Sequence, residues 1–157
     1  MTPIINLYAV TVADFIGIAI LLIVLVTRGW NLPGRKEESH IMLRMLIMSV
    51  ANCVVDQLVA YYDGRVGTGF MFYHVMLYIG NTFLYFYNVF VGIFLVHMIV
   101  KHIDKKASHL KFIAFWIAVG IQVILLVANF FVPIVFKIDM NNEYHRGDLF
   151  FFFVAVV

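Results

Sequence analysis

Cysteine is nearly absent from this chain: Cys53 stands alone, so no internal disulfide framework can hold the fold. Charge is scarce as well. Asp, Glu, Lys and Arg make up 13% of the residues and balance to a net charge of +2. A surface that binds phosphates needs clustered cations, so this balance excludes a nucleic-acid partner. Motifs for chemistry are missing too. No C-x-x-C, H-E-x-x-H or Walker pattern occurs, and Ser39, Ser49 and Ser108 lack a His–Asp pair at matching depth. Asp139-Met-Asn-Asn-Glu143 opens like a calcium loop, but Tyr144 stands where glycine is needed and the distal Glu is missing. His74 and His97 fall about 34 Å apart along one helix, too far to share a haem or metal centre. His40, His102 and His109 read as interfacial or solvated. Neither a cofactor nor catalysis is expected of these residues.

Apolar residues are abundant, at 64% of the chain with 17% aromatic, where a soluble domain runs near half. The charges sit in short clusters between long neutral runs, the pattern of a polytopic membrane protein. Phe112 to Phe136 carries no charge at all. Val66 to Val100 lacks Lys, Arg, Asp and Glu, and its Gly-rich start reads as a loop. Leu7 to Thr27 holds only Asp14, and Ile41 to Tyr62 holds Arg44 and Asp56. The expected fold is an all-α integral membrane protein, a polytopic helical bundle in one N-terminal membrane domain. Its complete spans are 7–27, 41–62, 70–102 and 112–136, followed by a short extracellular β-hairpin over 137–147 and the start of a fifth helix at 149–157. The third helix would reach about 48 Å and so should tilt or protrude. The fifth run covers only about 14 Å, which leaves carbonyls and a carboxylate in hydrocarbon. The chain therefore reads as a fragment cut inside its fifth helix, with a re-entrant half-helix as the alternative.

Lys and Arg set the orientation. Arg28, Arg35, Lys36 and Arg44 cluster around the first connection, and Lys101, Lys105, Lys106 and Lys111 around the third. The other side has only Arg65, Lys137 and Arg146. This places the protein in the cell membrane, multi-pass, with its N-terminus outside. Met1 to Asn6 has no basic residue and no cleavage site follows the first helix, so that helix is expected to be an uncleaved span rather than a signal peptide.

On the third helix His74, Tyr78, Asn81, Tyr85, Asn88 and Gly92 recur at alternating steps of four and three, a single stripe facing the bundle interior. Ser49, Asn52 and Asp56 repeat the pattern on the second helix, Gln122 and Asn129 share a face of the fourth, and Thr11 and Asp14 lie a turn apart on the first. Asp14, Asp56, Asn81 and Asn129 all fall roughly 9–17 Å below the outer boundary. A cavity or dense hydrogen-bonded network is expected there, with Tyr78 and Tyr85 beside it. Asn52, Asn88 and Gln122 read as glue between helices, worth about 0.6 kcal/mol each. A carboxylate at that depth costs about 2.5–3.5 kcal/mol, and no basic residue is at hand to pair with Asp14 or Asp56. These carboxylates are either protonated or wetted by a cavity, and are the leading candidates for sensing a small-molecule or lipid ligand from the outer side.

The loop before the fifth helix has two short alternating segments, Phe136–Asp139 and Glu143–Arg146, around Met140-Asn-Asn142, as a hairpin requires. Gly147 supplies a sharp turn and Asp148 sits near the next helix N-terminus. Folded over the mouth of the bundle, this hairpin would make Asp139, Tyr144 and Arg146 the outer-loop candidates.

Taken together, Asn6-Leu-Tyr8, Asp56 followed by Tyr62-Asp-Gly64, and the run from Phe136 to Phe150 resemble one known family. It is the N-terminal multi-helix membrane sensory domain found ahead of diguanylate cyclase domains in clostridia-like Gram-positive bacteria. Tyr144-His-Arg-Gly147 is the most specific piece. In that family a proline commonly follows the glycine, where this chain has Asp148. The resemblance implies about seven helices, a sensory input role, control of a cytoplasmic cyclase that makes cyclic di-GMP, and a homodimer in the full-length protein. No part of the cyclase signature lies in these residues. A histidine kinase output is also compatible with such a module. The competing class is a proton-coupled transporter or channel, which would use the same carboxylates but should show internal repeats, and none is visible.

Overall fold

A computed structural model describes residues 3–102 and 109–155 of the chain. Their order is α1 (Pro3–Val26), α2 (Lys36–Tyr62), α3 (Phe70–His102), α4 (His109–Asn129), β1 (Phe136–Ile138), β2 (Tyr144–Arg146) and α5 (Phe150–Ala155). Lys105, Lys106 and Ser108, and the last two residues of the fifth apolar run, lie outside the described residues. Among the described residues, three helices are long and apolar enough to cross a membrane: those holding Tyr8–Val26, Lys36–Tyr62 and Phe70–Ile99. The described apolar part of α4, Ile113–Asn129, is shorter.

Each helix follows from its sequence. In α1 the segment from Tyr8 to Val26 is almost wholly apolar, and it leaves Phe15, Ile16, Ile20 and Ile23 more than half exposed. A surface of that kind suits lipid rather than water. The second helix begins at Lys36 rather than at 41. Glu37 and Glu38 in its first turn favour the positive end of the helix dipole. The Ser39 hydroxyl, 4% exposed, accepts from the Leu32 N–H at 2.9 Å and donates to the Arg35 carbonyl at 2.9 Å. Polarity at residues 36–40 therefore starts this helix rather than preventing it. At its other end Gly64 takes φ +70, the left-handed conformation that terminates helices.

Helix α4 stops at Asn129, well short of 136. Phe130 to Phe136 is as apolar as the helix before it, so hydropathy alone extends the span. The stop is tertiary. The Asn129 side-chain oxygen accepts the N–H groups of Val135 at 2.7 Å and Phe136 at 3.1 Å, folding the chain back on itself. Pro133, within that return, has no N–H to offer a helix.

The two strands pair antiparallel, with Phe136 opposite Arg146, Lys137 opposite His145 and Ile138 opposite Tyr144. The expected hairpin is present, with β1 beginning one residue earlier than 137 and β2 ending at 146. Gly147 closes it. Its N–H donates to Val135 O at 2.8 Å and Leu149 N–H to Ile134 O at 3.0 Å, and a Cβ there would run into the Ile134 carbonyl. The densest packing lies where α3, α4, the hairpin and α5 meet: Phe136, Phe153 and Val135 are each 0% exposed and Leu126 is 1% exposed. Between α2 and α3 the approach is tight at Gly80, where an added Cβ would collide with Val59.

Candidate functional site

The polar residues expected in one layer divide into two groups. The first joins α1 to α2. Asp14 is half-buried, and its carboxylate accepts a hydrogen bond from Gln57 Nε2 at 2.8 Å. One turn further along α1, a Cβ on Gly17 would lie 3.5 Å from Cys53 Sγ. Asp14 and Gly17 are three apart and Cys53 and Gln57 four apart, so two facing pairs meet in antiparallel register. Asp56 is half-buried within electrostatic reach of Asp14. Among the described residues it has no hydrogen-bond partner. Two carboxylates and one amide donor thus face one another with no described cation between them. Gln57 is absent from the expected set. No spacing in the sequence singles it out, because its partner Asp14 lies on the facing helix.

The second group is built around the hairpin. Tyr78 Oη donates to the Asn129 carbonyl at 2.8 Å. The Tyr85 and Tyr144 hydroxyls are hydrogen-bonded to each other. Phe136 stacks on Tyr85 with centroids 5.3 Å apart and planes 8° from parallel, while Tyr78 and Tyr144 flank it. Burial pushes the Tyr144 hydroxyl above its usual range, so it stays a neutral hydrogen-bonding group. Gln122 Nε2 donates to the Phe153 carbonyl at 3.0 Å, the structural role expected of it. Tyr78, Tyr85, Asn129 and Tyr144 therefore come together, apart from Asp14 and Asp56, and they dock the hairpin. Asn81 joins neither group: it is 6% exposed and its amide donates back to Leu77 O at 2.8 Å within α3. Asn88 of the expected stripe is exposed, which breaks the seam at that point. Asn52 Oδ1 and Asn129 Nδ2 are buried without a partner among the described residues.

Asn142 fixes the hairpin tip. It is 0% exposed and takes φ +59, a conformation asparagine tolerates better than most residues. Its Nδ2 donates to Arg65 O at 2.7 Å and its Oδ1 meets His74 Nδ1 at 3.0 Å. Its own carbonyl accepts the Gly64 N–H at 2.7 Å, and the Asp63 carboxylate accepts the Tyr144 N–H at 2.9 Å. The hairpin is therefore bound directly to the α2–α3 loop. Asn142, Asp63 and His74 were not among the expected site residues; only the Asn-Asn turn tip hinted at the first.

Within the hairpin, Asp139 Oδ1 accepts the N–H groups of Asn141 at 2.8 Å and Glu143 at 2.9 Å, and Oδ2 meets His145 Nε2 at 3.1 Å. The Glu143 N–H, then the His145 side chain, hold the Asp139 carboxyl below its usual range. Donor atoms of Asp139, Glu143 and His145 lie within 4.8 Å of one another and could hold a metal ion, although the Asp139 oxygens already serve the turn. Arg146 is exposed, with its guanidinium 4.5 Å over the Phe150 ring. A hollow of about 730 Å³ lined by residues 31–38, before and at the start of α2, lies at the far end of α2 from these groups. No known protein family, characterised protein or solved structure matches the chain.

Proposed function

We propose that the chain is the membrane-embedded sensory module of a bacterial signalling protein, which controls a cytoplasmic diguanylate cyclase. In this reading four helices span the cell membrane, the N-terminus and the hairpin face outward, and the full-length protein works as a homodimer. The observation that carries it is the Asp14–Gln57–Asp56 group. Ionisable side chains between apolar helices with no counter-charge are costly, at about 2.5–3.5 kcal/mol each on the insertion scale, and mark places where a charge or ligand is handled. The connection from that group to the hairpin supports a sensory use. Asp56 and Gln57 lie on α2, which leads into Asp63, Gly64 and Arg65, and all three hold the hairpin through side-chain or backbone bonds. A change at the carboxylates that shifts α2 would be felt at the hairpin and at α5 beyond it.

A proton-coupled transporter or channel is the second reading, favoured by the same unpaired carboxylates. Two measurements separate them. In cells carrying the gene, Asp56→Asn should change cyclic di-GMP by about fivefold or more at unchanged protein level, and proteoliposomes should show no proton flux. Unchanged cyclic di-GMP in both Asp56→Asn and a deletion of the gene would remove the sensory reading. Proton uptake abolished by Asp56→Asn would establish the transporter.

A further inference from the structure

The seam between α2 and α3 opens near the hairpin into a groove of about 170 Å³, whose lining includes Val55, Leu58, Val59, Tyr62, Ile79 and Gly80. Its floor lies at Gly80, where the Val59 side chain packs directly against the bare backbone. Apart from the Tyr62 hydroxyl its lining side chains are apolar, and its rim faces outward: Leu58 is 48% and Ile79 58% exposed. In a bilayer such a rim meets acyl chains.

What distinguishes this groove is its end. Leu58 and Tyr61 are one turn apart on α2, so the Leu58 wall continues to Tyr61. The Arg65 guanidinium lies 3.6 Å from the centre of the Tyr61 ring. Its backbone is held from the other direction, because Arg65 O accepts Asn142 Nδ2 at 2.7 Å and the neighbouring Gly64 N–H donates to Asn142 O at 2.7 Å. Arg65 is exposed and enters no ion pair among the described residues. An apolar slot ending at a fixed, unpaired guanidinium at the polar boundary is complementary to an amphiphile with a hydrocarbon tail and an anionic head. Arginine's planar donors suit phosphate oxygens, and a cation at the membrane surface draws anionic lipid. A neighbouring apolar helix could fill the slot but would leave Arg65 without a counterion.

The geometry points to a phospholipid site, with one acyl chain in the α2–α3 groove and an anionic headgroup on Arg65. It is separate from the Asp14–Asp56 group and requires only that the bundle lies in a bilayer. The full chain, purified in mild detergent, is offered equal amounts of phosphatidylglycerol and phosphatidylcholine and examined by native mass spectrometry. Wild type should retain phosphatidylglycerol about fivefold over phosphatidylcholine. Arg65→Gln should erase that preference, and Ile79→Trp, which fills the groove from an exposed position, should lose retention of both lipids. Leu58→Trp on the opposite wall replaces Ile79→Trp should the latter fail to fold. Equal retention of the two lipids by wild type, or undiminished phosphatidylglycerol on a folded groove-filling variant, would overturn the site.

Discussion

Asp139 organises the hairpin turn with both carboxylate oxygens, one on two backbone N–H groups and one on His145. Those bonds favour its ionised form in the folded chain, and the carboxyl is held below its ordinary value of 3.8. The sign of the linkage follows. A group whose pKa is depressed on folding contributes stability that is present above the unfolded value and lost as pH falls through the folded one. Amide hydrogen exchange at Asn141 and Glu143 should therefore stay protected near neutrality and lose protection in acid below the carboxylate range. Asp139→Asn should remove that pH dependence. Equal acid sensitivity in Asp139→Asn would show that another group controls the turn. Sequence alone identified Asp139 as an outer-loop candidate, but its neighbours Asn141 to Glu143 give it a turn-forming role that requires no ligand. Gln57 went unseen for the opposite reason. A lone Gln in an apolar helix says nothing until the facing helix supplies Asp14.

At the level of elements, the apolar runs located α1 to α4 because helices in apolar surroundings need little else to define them. Their ends were less legible. The stop of α4 depends on Asn129 reaching Val135 and Phe136, a contact that forms only after the chain has turned. The stripe on α3 was correct where a partner approaches, at His74, Tyr78 and Tyr85, and failed at Asn88, which is exposed. The hairpin was legible from its alternation and turn residues, whereas its anchoring through Asn142 was not. That anchoring has a measurable weight. Asn142→Ala removes side-chain bonds to Arg65 O and His74 and places alanine at φ +59. It should cost about 3 kcal/mol in detergent unfolding. Asn142→Gly, which relieves the backbone but not the lost bonds, should recover about 1 kcal/mol of this. Equal losses in both variants would mean that the left-handed backbone contributes nothing.

Across the whole molecule, α2 links the two polar groups: its middle faces Asp14, and the loop that follows it holds the hairpin. The proposed sensory role needs such an element to connect the carboxylates with the hairpin. The proposal also needs the hairpin to lie outside the membrane, with α1 to α4 crossing it. Because Cys53 is the sole cysteine and Met140 at the hairpin tip is 89% exposed, a single thiol can report on this directly. In a Cys53→Ser background, Met140→Cys is treated with a membrane-impermeant maleimide on intact cells and again after permeabilisation. The account predicts a membrane-bound protein labelled fully in intact cells, with no gain on permeabilisation. Labelling that appears only after permeabilisation, or recovery of the folded protein in the soluble fraction, would contradict it.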